Sequence, residues 1–270
     1  MTVDEVVKQL DVWITRHQRH AWNPCVKIGE PGAPTGSRFG GVPWFAEHEA
    51  WPACGVCHRP MQFFLQLNLA ELPRSWKGKP DYGLLQLFYC IGDDCETERD
   101  SWEPFDPGHL VRILFPNNDR PGSANHAAQS PFPVRTITGW EHLTDLPHPE
   151  DHRELGLDYT YDSDAGTVQI ECADPVLKIG PVGREATNKD GFHVAEAIGQ
   201  CLEGDKLGGW PCWAQGAEYP VCPECAGRMM LLLQVDSCDN VPFMFGDAGC
   251  AHITQCPRHP QRLAFGWACG

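Results

Sequence analysis

Two Cys-x-x-Cys turns, Cys54–Cys57 and Cys222–Cys225, carry the clearest chemistry in this 270-residue chain. A two-residue spacer lets two thiolates converge on one tetrahedral ion, and donors returning about thirty residues later complete the shell. The first set would be Cys54, Cys57, Cys90 and Cys95; the second Cys222, Cys225, Cys256 and, from "CPRHP", His259. Cys90 and Cys95 are spaced more loosely than a usual knuckle. Four protein ligands leave no position for water, so both sites are expected to hold structural Zn2+ rather than catalytic metal. A redox Cys-x-x-Cys is the competing reading, but such a motif needs no distant thiol partners, and here both turns have them.

Other constellations are weaker. No HExxH occurs, and His48 and Glu49 are adjacent where a zinc deaminase needs His-x-Glu. In "HPEDHRE" (148–154), Pro149 opposes a shared helix face for His148 and His152, so a solvated loop is expected. Cys250 and His252 share a strand face with Cys256, but their counterparts Leu84 and Gln86 cannot ligate, so they read as core or as support behind the ligands. Cys25, Cys172, Cys201, Cys212, Cys238 and Cys269 receive no role. With no catalytic constellation, the chain is not expected to be an enzyme.

The elements that must position the thiols come twice. Residues 38–68 slide onto 206–236 without a gap, at a constant offset of 168. The matches are Gly40/Gly208, Gly41/Gly209, Pro43/Pro211, Ala46/Ala214, Pro52/Pro220, Cys54/Cys222, Cys57/Cys225, Met61/Met229, Leu65/Leu233 and Gln66/Gln234. Chance would give about two. Each Cys-x-x-Cys precedes a buried strand, "QFFLQLNL" or "MMLLLQVD". A second strand follows, ending at Cys90 or Cys256, and then a third, "HLVRILFP" or "LAFGWAC". The Gly-Gly ahead of each proline permits positive φ or close backbone approach, so it reads as a turn into the core. It is not a phosphate loop, because the lysine and hydroxyl residues of that motif are missing. At the N-terminus, Val3, Val6, Val7, Leu10 and Trp13/Ile14 recur at helical spacing. A basic region followed by an apolar block is absent there, so no export signal is expected and fourteen cysteines suggest a reducing, cytoplasmic setting. No apolar run is long enough to suggest a membrane span.

The expectation is an α+β, β-rich single domain over 1–270, built from an internal duplication. Two pseudo-symmetric β-sheet repeats pack together, each with a zinc-ribbon-like Cys knuckle. The N-terminal helix covers 1–20, repeat one 38–116, an acidic connecting segment 117–204 and repeat two 205–270.

Charge narrows the partners. The chain carries −15, and residues 93–174 hold 18 acids against 5 bases. An acidic field repels phosphate backbones and draws in basic proteins. Nucleic acid and membrane are therefore not expected, and a basic protein partner is. Asp93, Asp94, Glu96, Glu98, Asp100 and Glu103 would supply the charge. Trp102, Phe105 and Trp140 are the aromatic anchor candidates, although for each one alone a place in the core is the slightly favoured reading. A metal-dependent hydrolase and a zinc-ribbon nucleic-acid binder are the alternatives.

Taken together, "RFGGVPWF", "WPACGVCHRPMQFFLQLNL", "YGLLQLFYC", "ITGWEHLTDLP", "DKLGGWPCWAQ", "YPVCPECAGRMMLLLQVD" and "FMFGDAGCAHITQCPRHPQRLAFGWACG" resemble the YwqG family, a bacterial domain of unknown function. That family is more distantly similar to the eukaryotic programmed-cell-death-two proteins. The resemblance implies two β-rich halves in one body and no catalytic residues to carry over. It also implies a role in gripping another protein, as a chaperone or as an immunity protein against a toxin. Many members lack some of these cysteines, which implies that metal stabilises rather than defines the shared role.

Overall fold

The computed structural model describes residues 1–76, 82–92, 95, 102–116, 132–183, 195, 198 and 201–270. The chain divides into two compact units: Met1–Ala21, Leu143–Glu203 and Gly209–Ala217 form the smaller, and the rest the larger. Among the described residues no helix is long and apolar enough to cross a membrane.

The larger unit is organised by a ten-stranded sheet. Its strands are β1 (Arg19–Ile28), β2 (Arg38–Phe39), β3 (Gln62–Asn68), β4 (Leu84–Tyr89), β5 (His109–Leu114), β6 (Arg135–Asp145), β10 (Lys206–Gly208), β11 (Met230–Asp236), β12 (Cys250–Gln255) and β13 (Leu263–Ala268). The spatial order is β13-β12-β11-β10-β1-β6-β2-β3-β4-β5. The segments expected as repeats, 38–116 and 205–270, thus supply the two arms of one sheet, with β1 and β6 between them. The arms end near each other: Trp267 Nε1 on β13 donates to the Tyr89 hydroxyl on β4 (2.9 Å), and Phe265 meets the His109 ring edge-on at 4.9 Å. The sheet is nearly closed, and aromatic side chains fill its interior, with Phe64, Tyr89, Phe243, Phe245 and Phe265 in mutual contact. On β4, Leu85, Leu87 and Tyr89 face this core, while Phe88 and Cys90 belong to a second apolar cluster. Burial on both faces explains why these strands read as continuous apolar runs rather than alternating ones.

The two arms agree in backbone detail. Arg38 pairs with Gln66 and Lys206 with Gln234. Register shifts fall between Phe63 and Leu65 on β3 and between Leu231 and Leu233 on β11, again 168 apart. Gly40, Gly41, Gly208 and Gly209 all have positive φ, as expected. At Gly40 a Cβ would lie 2.6 Å from the Pro133 carbonyl oxygen, so close approach requires glycine there as well.

The agreement extends to side chains of different type. Ser37 N donates to Glu71 Oε2 (3.1 Å), and Asp205 N donates to Asp239 Oδ2 (2.8 Å). Asn68 N donates to Ser37 Oγ (2.9 Å), and Asp236 N donates to Asp205 Oδ1 (2.7 Å). Each pair differs by 168 in number. One consequence separates the arms: burial, with Asp239 nearby, pushes the Asp205 carboxyl up to about 7.

The smaller unit takes most of the segment expected to be connecting. It contains a three-stranded antiparallel sheet of β7 (Leu157–Asp162), β8 (Thr167–Ala173) and β9 (Val176–Gly183). β8 alternates buried and exposed, with Val168, Ile170 and Cys172 inward. They pack with Val6, Leu10 and Trp13 of the N-terminal helices. The single helix expected over 1–20 is two helices, α1 (Val3–Gln9) and α2 (Asp11–His17). A capping box between Thr2 and Glu5 starts α1. The chain leaves helical geometry at Leu10, and β1 begins at Arg19.

The 148–154 stretch is not the solvated loop expected. Pro149 occupies the first turn of a short helix, α3 (Pro149–His152), where its missing N–H costs nothing. Asp151 and His152 are buried. Asp151 Oδ2 accepts from Trp213 Nε1 (3.0 Å), and the His152 ring bonds the Tyr159 hydroxyl (2.8 Å) and the Pro147 carbonyl (3.2 Å). Burial depresses His152 to about 4.

These two groups titrate with opposite sign. His152 stays neutral in the folded state, so its contribution to stability is lost as pH falls from about 6.5 toward about 4. Asp205 stays protonated in the folded state, so its contribution is lost as pH rises from about 4 to about 7. NMR titration should find the His152 imidazole neutral at pH 5.5 and the Asp205 carboxyl half-ionised near neutrality. An ordinary midpoint for either would contradict its burial.

Candidate metal centres

Each centre is built on one turn written twice. Cys54 N donates to the Arg59 carbonyl (2.8 Å), and His58 N to the Cys54 carbonyl (3.0 Å). In the second turn, Cys222 N donates to the Gly227 carbonyl and Ala226 N to the Cys222 carbonyl, both 2.8 Å. His58 and Ala226, one residue past the second cysteine, both sit at positive φ. Isolated bridges pair Ala53 with Pro60 and Val221 with Arg228. Met61 N and Met229 N then bond the Pro52 and Pro220 carbonyls. The proline, the turn and the methionine therefore form one device: it points two thiols the same way and feeds the chain into β3 or β11.

The end of the next strand brings the remaining donors. In the first centre the donor atoms of Cys54, Cys57, Cys90 and Cys95 all lie within 4.8 Å of one another. Cys54 and Cys95 sulfurs are 3.7 Å apart, and those of Cys57 and Cys90 3.6 Å. In the second centre the donors of Cys222, Cys225, Cys256 and His259 meet the same limit. Cys225 and Cys256 sulfurs are 3.6 Å apart, and His259 Nδ1 is 3.6 Å from Cys222 and 3.7 Å from Cys256. All eight residues singled out from spacing are therefore brought together, in the expected two groups, and none of the cysteines is in a disulfide.

The donor spacing fits a tetrahedral ion. Thiolate arms of about 2.3 Å place two sulfurs about 3.8 Å apart, and an imidazole arm of about 2.0 Å gives a sulfur–nitrogen edge near 3.5 Å. The five separations given above fall within about 0.2 Å of these values. Both groups could hold a metal ion, each with four donors from the protein.

The surroundings tune the donors unequally. Burial raises the Cys57 thiol, but hydrogen bonds from the Arg59 side chain and backbone outweigh it and bring it down to about 6. Arg59 Nε lies 3.5 Å from Cys57 Sγ. Burial pushes Cys90 and Cys54 upward. For Cys222, burial is opposed by the Glu224 backbone N–H and by His259, and the thiol is lowered. Outside the second group, Glu224 Oε2 sits 3.5 Å from His259 Nε2, and its other oxygen pairs with Arg262 Nε at 2.5 Å. That carboxylate favours a proton on Nε2 and leaves the Nδ1 lone pair facing the sulfurs.

The other residues singled out are placed as follows. Cys250 and His252 are buried on β12 with Sγ and Nε2 3.7 Å apart. Trp102 and Phe105 are exposed, while Trp140 packs partly buried against the main core. The Glu103 carbonyl accepts from the His109 ring (3.1 Å). Asp93, Asp94, Glu96, Glu98 and Asp100 lie outside the described residues.

Sequence matching missed the Ser37–Asn68–Glu71 and Asp205–Asp236–Asp239 networks. Identities end at Gln66/Gln234, so only a comparison by hydrogen-bonding capacity would have reached them. It also missed Glu49 and Arg112, a half-buried ion pair at 2.5 Å whose guanidinium also bonds Gln86 Oε1. The two residues are 63 apart in number, and no local pattern links them.

A family model described as a domain of unknown function (DUF1963) matches residues 37–265, a span that takes in both groups of donors. No curated protein matches the chain.

Bound metal in such sites contributes on the order of 10 kcal/mol of apparent binding energy. Cys222→Ser and Cys57→Ser should each remove one equivalent of metal and lower the melting temperature by about 10 °C. Cys250→Ser should leave metal content unchanged. Elemental analysis alongside calorimetry checks this; wild-type metal content in both ligand variants would exclude these donor sets.

Proposed function

The chain belongs to the DUF1963 family, and from that premise we propose that it is a zinc-stabilised, non-catalytic module that grips a basic protein. The observation that carries the reading is the closed donor shell. Four protein donors at tetrahedral spacing leave no position for substrate or water, which suits a structural ion and not a hydrolytic one. Thiolate-rich tetrahedral groups select zinc over the hard cations.

The duplication belongs to this proposal. Its support is the constant offset of 168 across turn hydrogen bonds, positive-φ residues, register shifts and side-chain networks. So does membership in the YwqG-like group and its distant likeness to the programmed-cell-death-two proteins. The acid excess of residues 93–174 supports a basic partner and argues against nucleic acid. A chaperone for a basic client and an immunity protein against a basic toxin both fit.

Two measurements test the reading. The cobalt-substituted protein should give a tetrahedral, thiolate-rich absorption spectrum that added anions leave unchanged; an anion-sensitive spectrum would reveal an open coordination position and favour the hydrolase. A single basic protein should co-purify at near-equal amounts, and its binding should weaken steeply with salt. Neutralising Asp93, Asp94, Glu96, Glu98, Asp100 and Glu103 to their amides should weaken that binding and flatten its salt dependence. Salt-insensitive binding, or binding equally strong in the amide variant, would sink the acidic surface.

A further inference from the structure

A cavity of about 260 Å³ opens on the larger unit, lined by Gly36, Ser37, Glu71, Thr136, Thr138 and Trp140 among others. It is smaller than the roughly 300–1,000 Å³ of drug-sized ligand sites, so it suits one side chain better than a cofactor.

Its polar lining is polarised in one direction. The Thr136 hydroxyl donates to the Glu30 carbonyl, and the Thr138 hydroxyl donates to the Cys25 carbonyl (3.1 Å). The Ser37 hydroxyl donates to Glu71 Oε2 (2.8 Å). All three hydroxyl protons are thus committed to groups within the fold, and what remains for a ligand is lone pairs. Glu71 adds the formal charge. Its carboxylate accepts from Ser37 N, Ser37 Oγ and Asn68 Nδ2 (3.2 Å), which fixes its orientation and fills three of its roughly four acceptor sites. Oε1 retains room for one more donor. The partly buried Trp140 lines the same cavity. Among the described residues, no basic side chain lines the cavity. Arg38 is close enough to feel Glu71, but its guanidinium is turned to the carbonyls of Ala33, Pro34, Gly36 and Val42.

Acceptors, one anchored carboxylate and an indole describe a receptor for a cation that can donate and stack. We infer that this cavity binds the guanidinium of an arginine side chain on a polypeptide. One N–H would meet Glu71 Oε1, and the planar group would lie over Trp140. Guanidinium fits better than ammonium because it is flat, weakly hydrated and stacks on aromatic faces. The inference deepens the reading of a basic partner by naming the group that partner would insert.

The test uses the full chain with its metal as isolated, 15N-labelled, titrated with acetyl-Gly-Arg-Gly-amide. The Ser37 and Thr138 amides and the Trp140 indole should shift and saturate in the millimolar range. The citrulline peptide, a neutral isostere, should leave them unmoved, and the lysine peptide should bind several-fold more weakly. Free arginine, with its own carboxylate, should bind no better than the blocked peptide; markedly tighter binding would make the ligand a small molecule and overturn the polypeptide assignment. Glu71→Gln and Trp140→Leu should each weaken the arginine peptide about tenfold. Glu71 also holds the Ser37 loop, so Trp140→Leu, which leaves that network intact, is the decisive variant. Equal shifts with citrulline, or none with arginine, overturn the pocket. The outcome is separable from the capture experiment: a pocket that binds arginine in a protein with no basic partner leaves the pocket standing and removes the proposed function, and the converse removes the pocket alone.

Discussion

Four metal-ligating side chains held with their donor atoms within 4.8 Å of one another are the constraint on which the larger unit depends. Thiolates about 3.7 Å apart repel by about 4 kcal/mol per pair at an effective dielectric of about 20. Such a group therefore cannot stay fully ionised; it keeps protons or takes up a cation. The first group shows the strain of sharing: Cys57 is driven down by Arg59 while burial holds Cys90 and Cys54 up. A divalent ion resolves the conflict for all four sulfurs at once. It would also tie a turn ahead of β3 to the end of β4 and the residues beyond it, across more than thirty residues of chain.

Such a tie would account for what the two arms keep in common and what they vary. The turn hydrogen bonds, the residue at positive φ and the strand that follows are the same in both, because each aims a sulfur. The packing behind the turns differs. The first group sits against Phe45, Phe63, Phe88 and Trp51, whereas the second, among the described residues, has Met229 and Ala264 as apolar neighbours within its cluster. Opposite Phe88 in the alignment stands Thr254, buried like it but polar. The second arm therefore leans less on aromatic packing around its donors.

How much of this was legible depended on the range of the interaction that fixes each feature. The eight donors were readable because metal geometry dictates local spacing, and the strands because burial on both faces leaves unbroken apolar runs. The smaller unit's sheet was not read. Its strands carry residues such as Asp158, Asp162, Glu171 and Lys178 on the exposed face, and this charge made 143–183 look like a solvated connector. The 148–154 helix was missed because proline was judged as a helix breaker when it occupies the first turn. The N-terminal segment kept its apolar stripe across a break at Leu10, so periodicity alone ran two helices together.

The two arms also show how different side chains in one hydrogen-bond pattern give a site a different character. Ser37 and Asp205 occupy equivalent positions, and each has its backbone N–H bound by a carboxylate from the following loop. With aspartate there, two carboxylates crowd a buried network, and Asn240 turns its backbone and side-chain N–H groups onto Asp205 to satisfy it. The charge is absorbed inside the fold, and Asp205 is pushed toward neutrality. With Ser37 and Asn68 in place of Asp205 and Asp236, Glu71 is the one carboxylate of its network, and a hydroxyl supports it. Glu71 then stands at the wall of an open cavity. The first arm thus places its one carboxylate at a cavity wall where the second packs an aspartate into the fold, and the difference follows from side chains changed at all three positions of one shared network.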